Sequence, residues 1–225
     1  FFLMASMRKM RMNIPLSFTL EFFSDIFLAA IAENQIQEGV IELLAYRNRD
    51  DGFSAKTPVH FYFEIRQKDE VLKISEKYEL DLMNEISVNT NVLSNVKVHS
   101  PENIYAEIYA KENDLDDVIF LNPNKKIART IYGNLLLLEE NTIKIPKQTE
   151  GAYISPLMEN FVTFVHKNNL ATIEEAELSA FESQKAEEIL VISDEKGIFT
   201  VSKIRNKEFG NERYKTMLEA WKTSF

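Results

Sequence analysis

The residue types in this chain that could do chemistry are few and scattered. Three histidines, His60, His99 and His166, fall on unlike elements. They lack the i, i+4 spacing that sets two imidazoles on one helix face around a metal. Asp114-Leu115-Asp116-Asp117 and His99-Ser100-Pro101-Glu102 offer ligand types, but the acidic run reads more simply as a solvated turn before a strand. No metal site is expected. Neither a Gly-x-Ser-x-Gly elbow nor a P-loop spacing occurs, and six glycines leave little scope for a phosphate-cradling loop. The absence of cysteine excludes disulfides, thiolate catalysis and cysteine-ligated metals, which suits a cytoplasmic protein.

The elements that would have to position any such group come from an ordinary globular composition. The 225 residues are 45% hydrophobic and 27% charged, long enough for one large domain or two small ones. A formal charge of −9 argues against nucleic acid or an anionic membrane surface as the main partner. Pro15, Ser24 and Asp25 interrupt the apolar N-terminal third, so no bilayer span is expected. Phe1-Phe2-Leu3-Met4 is apolar at once, with Arg8, Lys9 and Arg11 after it, the reverse of a signal peptide. The first residue is not methionine, and the natural start is expected upstream.

Periodicity predicts helices over 1–12 and 17–35, with Ser17 as N-cap of the second. Strands follow at 39–48, 59–67 and 74–83. Val59, Phe61, Phe63 and Ile65 alternate with polar or larger neighbours, and Asp50-Asp51-Gly52 marks a turn. The polar stretch 84–100 reads as a linker between lobes. Beyond it come a helix at 102–112 and strands at 116–122, 126–138 and 142–146. Ser155-Pro156 then opens a helix to about 169, serine at N-cap and proline at the first turn. A strand near 171–177, a short helix near 179–186, strands at 188–193 and 198–204, and a helix from 211 complete the chain. Phe18, Phe22, Phe23, Phe27, Phe61 and Phe63 crowd the first part, as core or as interface.

Three runs carry a resemblance. They are Asp116-Asp117-Val118-Ile119-Phe120-Leu121-Asn122, Lys126-Ile127-Ala128-Arg129-Thr130-Ile131-Tyr132-Gly133-Asn134-Leu135, and Asn141-Thr142-Ile143-Lys144-Ile145-Pro146. Together they resemble the class IV aminotransferases, the fold-type IV pyridoxal 5′-phosphate (PLP) enzymes. That family includes aminodeoxychorismate lyase and the branched-chain and D-amino-acid aminotransferases. The resemblance is best over 103–205 and weak over 35–95. It implies a two-lobed α/β (α+β) fold: a small N-terminal lobe, 1–88, incomplete at its start; a linker, 89–100; and a larger C-terminal lobe, 101–225. It also implies a homodimer and a small amino-acid-like ligand.

The resemblance further implies a site, and here the residues depart from the family. PLP chemistry needs a Schiff-base lysine, a partner for the pyridine nitrogen, and an anion cup for the phosphate. Lys97, closing Leu93-Ser94-Asn95-Val96-Lys97, matches the lysine. Arg129 stands where the family has a glutamate on the pyridine nitrogen, and a guanidinium cannot accept that proton. Asn134, after Gly133, matches the family's small-residue-plus-asparagine pair. The phosphate cup falls on Phe2, which has no charge, on the turn Ser155-Pro156-Leu157-Met158, where Pro156 has no N–H, and on Ser193-Asp194-Glu195, where carboxylates would repel a phosphate. The favoured reading is a non-catalytic or repurposed member that binds PLP weakly or not at all. The rival reading is an active PLP-dependent lyase or aminotransferase with Lys97 as Schiff-base lysine.

Overall fold

A computed structural model describes residues 2–48, 54, 56–98 and 100–225. The turn expected at Asp50-Asp51-Gly52, as well as Phe1 and His99, lie outside the described residues. The chain divides into two compact units, Phe1–Val71 and Leu72–Phe225.

The first unit holds helices α1 (Phe2–Lys9) and α2 (Leu20–Glu33) and strands β1 (Gly39–Arg47) and β2 (Val59–Gln67). The two strands form an antiparallel pair in unbroken register, from Gly39 opposite Gln67 to Arg47 opposite Val59. The N-cap of α2 is Thr19 and not the expected Ser17. Ser17 and Phe18 sit in a turn closed by the Phe18 N–H on the Pro15 carbonyl, so the backbone becomes extended only at Thr19. There the hydroxyl accepts the Phe22 N–H at 3.1 Å. Phe61 and Phe63, two apart on β2, share the face toward α2, where Phe18, Phe22, Phe23 and Phe27 meet them ring to ring.

The second unit is a nine-stranded mixed sheet with helices against it. Its strands are β3 (Ile74–Met83), β4 (Asp117–Leu121), β5 (Ile127–Thr130), β6 (Asn134–Glu139), β7 (Thr142–Pro146), β8 (Thr172–Ala176), β9 (Glu188–Ser193), β10 (Gly197–Ile204) and β11 (Lys207–Glu208). The spatial order is β5-β4-β3-β10-β9-β6-β7-β8, with β11 on β10. Strand β3 runs parallel to both β10 and β4. The first compact unit therefore ends at Val71, whereas the expected small lobe ran to 88. Alternation identifies a strand but not the partner it will find, and β3 finds one partner, β4, across α3 (Pro101–Glu112) and the other, β10, more than a hundred residues downstream. The stretch expected as a linker also packs on this unit. Val88 and Val96 are buried, the Val88 N–H reaches the Leu121 carbonyl, and the Ile154 N–H reaches the Asn95 carbonyl.

Alternation along the central strands divides the core. Leu136 and Leu138 of β6 face α4 (Pro156–Lys167) and α6 (Glu212–Lys222), meeting Phe161, Val165, Leu218 and Trp221. Leu135 and Leu137 face the other way, toward Leu80, Ile119, Leu178 and Val191. On β4, Val118 and Phe120 receive Ala106 and Ala110 of α3, whose small side chains at i, i+4 let the helix approach closely. A short helix α5 (Ala180–Ser183) follows β8. Each large side chain buried in this way contributes roughly 1.5–3 kcal/mol.

One expected strand, 126–138, is broken into β5 and β6. The Gly133 N–H and carbonyl both return to Thr130, closing a tight turn. A Cβ at Gly133 would stand 2.3 Å from the Ile192 carbonyl oxygen. Only glycine lets the turn lie against β9 at that distance.

Candidate functional site

The turn between β9 and β10, Ser193-Asp194-Glu195-Lys196, organises one end of the site. The buried Ser193 hydroxyl donates to the Tyr132 carbonyl at 2.7 Å and accepts the Glu195 and Lys196 N–H groups, fixing the turn against Gly133. From this base Asp194 and Glu195 reach in different directions. Asp194 Oδ1 accepts the Leu157 N–H at 2.9 Å. Glu195 Oε2 meets Lys97 Nζ at 2.8 Å, both side chains about two-fifths exposed. Lys97 is thus exposed to solvent and at the same time held in an ion pair. Burial alone would raise the Glu195 carboxyl, but the hydrogen bond and charge of Lys97, with Lys196 beside it, outweigh burial and hold it below the usual carboxylate range.

The start of α4 has no free donor. Ser155 is the N-cap, its hydroxyl accepting the Met158 N–H at 3.1 Å. Pro156 contributes no N–H, Leu157 donates to Asp194, and Glu159 already donates to the Ser155 carbonyl. The helix end that could bind an anion through its N–H groups and dipole carries a carboxylate of the chain itself.

Asn134, wholly buried, clamps the chain before α4. Its amide nitrogen donates to the Tyr153 carbonyl at 2.8 Å and its oxygen accepts the Tyr153 N–H at 2.9 Å. This double bond set gives Asn134 a structural role whatever else it does. Tyr153 is in turn a wall for Arg129.

Arg129, on β5, is 6% exposed. Its guanidinium lies over the Tyr153 ring at 4.2 Å and near the Phe120 ring at 4.9 Å. Nη1 donates to Asn103 Oδ1 at 3.1 Å and to the Thr130 carbonyl at 3.0 Å, while Nε is buried without a partner. Burial lowers this guanidinium from its usual value, against the opposing charges of Tyr153, Asp117 and Glu102. Arg129 also borders a pocket of about 160 Å³ with Val88, Leu93, Ser94, Val96 and Glu102.

A third ionisable group supports the β5–β6 turn from below. Asp117 is fully buried, accepting the Ile131 N–H at 2.9 Å and the Tyr78 hydroxyl at 3.1 Å. Burial pushes its carboxyl up to about 6, although the bonds from Ile131, Thr130, Val118 and Tyr78 pull the other way. Tyr132 is likewise raised by burial, then by the Glu107 carboxylate.

The sequence-derived residues therefore gather unevenly. Lys97, Ser155, Leu157, Ser193 and Asp194 meet around one turn, with Asn134 a strand away. Arg129 belongs to a separate arrangement with Asn103, Phe120 and Tyr153. Phe2, proposed for the cup, lies in the first unit on α1. Asn103 and Tyr153 escaped sequence reasoning because nothing in their spacing marks them; only the proximity of each to a Ser-Pro pair hinted at an ordered helix start. Among the described residues no group of three or more His, Asp or Glu side chains could hold a metal ion. No helix among them is long and apolar enough to cross a membrane.

This fold and this sequence have known counterparts. Residues 3–204 match the family described as Amino-transferase class IV, and the chain belongs to that family. A candidate 4-amino-4-deoxychorismate lyase from Legionella pneumophila superposes with a TM-score of 0.87 at 17% identity, over 100% of this chain and 83% of the other. The branched-chain amino acid aminotransferase of Thermobaculum terrenum, solved in its PLP form, gives 0.86 at 18% identity over 99% and 75%. The Escherichia coli branched-chain enzyme gives 0.82 at 15% identity over 99% and 74%. No curated protein matched the sequence. The α/β (α+β) fold that the resemblance implies is that of these structures.

Proposed function

We propose that this class IV aminotransferase-fold protein does not run PLP chemistry and acts instead through binding or assembly. The observation that carries the reading is Asp194 on the Leu157 N–H at 2.9 Å. A phosphate at the start of α4 would have to displace that carboxylate and then lie beside it, with Pro156 supplying no N–H in compensation. Arg129 adds a second misfit, since it offers donors only and its Nη1 is committed to Asn103 and Thr130. The residues present do not fit the cofactor.

One observation favours the rival reading, an active lyase or aminotransferase using Lys97. Successive residues of a single turn, Asp194 and Glu195, touch the start of α4 and Lys97, so the lysine and the helix end stand together. The absorption spectrum separates the two. Purified protein mixed with PLP should show no internal-aldimine band, and borohydride should leave no stoichiometric pyridoxyl group on Lys97. A band lost in Lys97→Ala establishes the enzyme.

Assembly is taken to be homodimeric, supported by exposed Leu20, Leu28, Leu44 and Tyr62 in the first unit. Light scattering should give twice the 26.1 kDa chain mass; a monodisperse monomer at micromolar concentration would contradict it.

A further inference from the structure

Arg129 carries a guanidinium that the fold buries and only half uses. Nη1 makes both of its hydrogen bonds. Nε is buried and unpaired, and Nη2 makes no hydrogen bond with any described residue. None of the ion pairs among the described residues includes Arg129. A buried cation with no ion-pair partner is costly, and the two aromatic faces offset that only in part.

The unused edge has a definite chemistry. Nε and Nη2 form the side of the guanidinium fork that meets a carboxylate through two parallel hydrogen bonds. Tyr153 and Phe120, at 4.2 and 4.9 Å, fix the plane of that fork before any ligand arrives. The pocket beside it measures about 160 Å³. A cavity of about 150 Å³ admits benzene, so a ligand of about six non-hydrogen atoms fits. Its walls are half apolar, from Val88, Leu93, Val96 and Val98, and half polar, from Asn89, Asn91, Ser94 and Ser100, so a short tail finds apolar contact along one side. Glu102 also stands on the wall, which disfavours a dianion such as phosphate and leaves a monoanion as the better match.

We infer that Arg129 anchors a binding site for a small monocarboxylic acid, its carboxylate held by Nε and Nη2 and its apolar remainder against Leu93, Val96 and Val98. This goes beyond the reading above and does not depend on it, since it requires nothing of Lys97, Asp194 or PLP.

The test is a titration of the PLP-free protein with isobutyrate, and in parallel with its uncharged isostere isobutyramide. The ¹⁵N–¹H resonance of the Arg129 Nε–H group is the readout. Isobutyrate should shift it with a dissociation constant on the order of 1 mM, the scale that about six non-hydrogen atoms reach. Isobutyramide should bind at least tenfold more weakly. Arg129→Gln should abolish isobutyrate binding, and Arg129→Lys, which keeps the charge and loses the fork, should weaken it about tenfold or more. Should Arg129→Gln fail to fold, the acid-against-amide comparison on the unaltered protein still decides. An unmoved Nε resonance, equal binding of acid and amide, or undiminished binding by Arg129→Lys overturns the assignment.

Discussion

At the start of α4 every first-turn donor has a partner from the chain itself, whereas at Arg129 one edge of a buried guanidinium has none. Both places attract anions, one through a helix dipole and the other through a full charge. The difference lies in what the neighbouring turn supplies. The β9–β10 turn sends Asp194 to the helix and Glu195 to Lys97, so that end of the site is electrostatically closed. No described carboxylate comes within ion-pair reach of Arg129. Carboxylates of the chain thus occupy one of these places, while the other keeps an unpaired edge.

That contrast depends first on the turn being held in place, and Gly133→Ala should break it. A Cβ there meets the Ile192 carbonyl at 2.3 Å, backbone against backbone, so β9 and its carboxylate turn must shift. A loss of about 3 kcal/mol or more is expected in urea unfolding. A change below about 1 kcal/mol would mean that the turn is not braced by this approach.

Asp117 supplies a third case, a carboxylate buried with no cation. Its folded-state carboxyl titrates at about 6, raised by burial above the ordinary 3.8. The folded protein therefore holds this proton over a range where the unfolded chain has released it. Stability from this group is full below about pH 4 and is lost as pH rises through about 6, by about 2–3 kcal/mol at most. Its neighbours Tyr78, Thr130 and Ile131 do not titrate there. Asp117→Asn should flatten that fall in a pH series of denaturant midpoints; an unchanged slope would reject the assignment.

Opening the closed end should cost less. Asp194→Ala removes the acceptor from the Leu157 N–H and should cost about 1 kcal/mol or less, while letting sulfate stabilise the protein more than it stabilises the parent. If sulfate discriminates no better against the variant than against the parent, the helix end was never an anion site. Smallest is Glu195→Gln. The pair with Lys97 is two-fifths exposed on both sides, so solvent screens it and less than about 1 kcal/mol is expected. Its use is chemical: reductive labelling of Lys97 by a simple aldehyde should rise in Glu195→Gln, and equal labelling would show that Glu195 does not restrain the amine.

Much of the fold was legible from local pattern. β2 and β3 run over 59–67 and 74–83 as the alternation predicts, and Ser155-Pro156 caps and opens α4. The errors share one cause. Ser17 and Thr19 are both good caps, and the choice fell to the turn closed on Pro15. The strand 126–138 looks continuous because Ile131 and Tyr132 are good strand formers, yet Gly133 is bent against β9. The first compact unit closes at Val71 because β3 pairs with strands of the second, which are distant in sequence.

By itself the sequence determined the chemical inventory: no thiol, and, where the resemblance implies a phosphate-binding N–H, a carboxylate for the pyridine nitrogen and a late hydroxyl, Pro156, Arg129 and Asp194. Residue identity fixes what each group can donate or accept, so those substitutions are readable in one dimension. Only the tertiary structure decided which group meets which. It joined Asp194 to Leu157 and Glu195 to Lys97, and it set Arg129 between Tyr153 and Phe120 with an edge unpaired. Such pairings depend on contacts between residues tens of positions apart, which strand order and register create and no local pattern encodes.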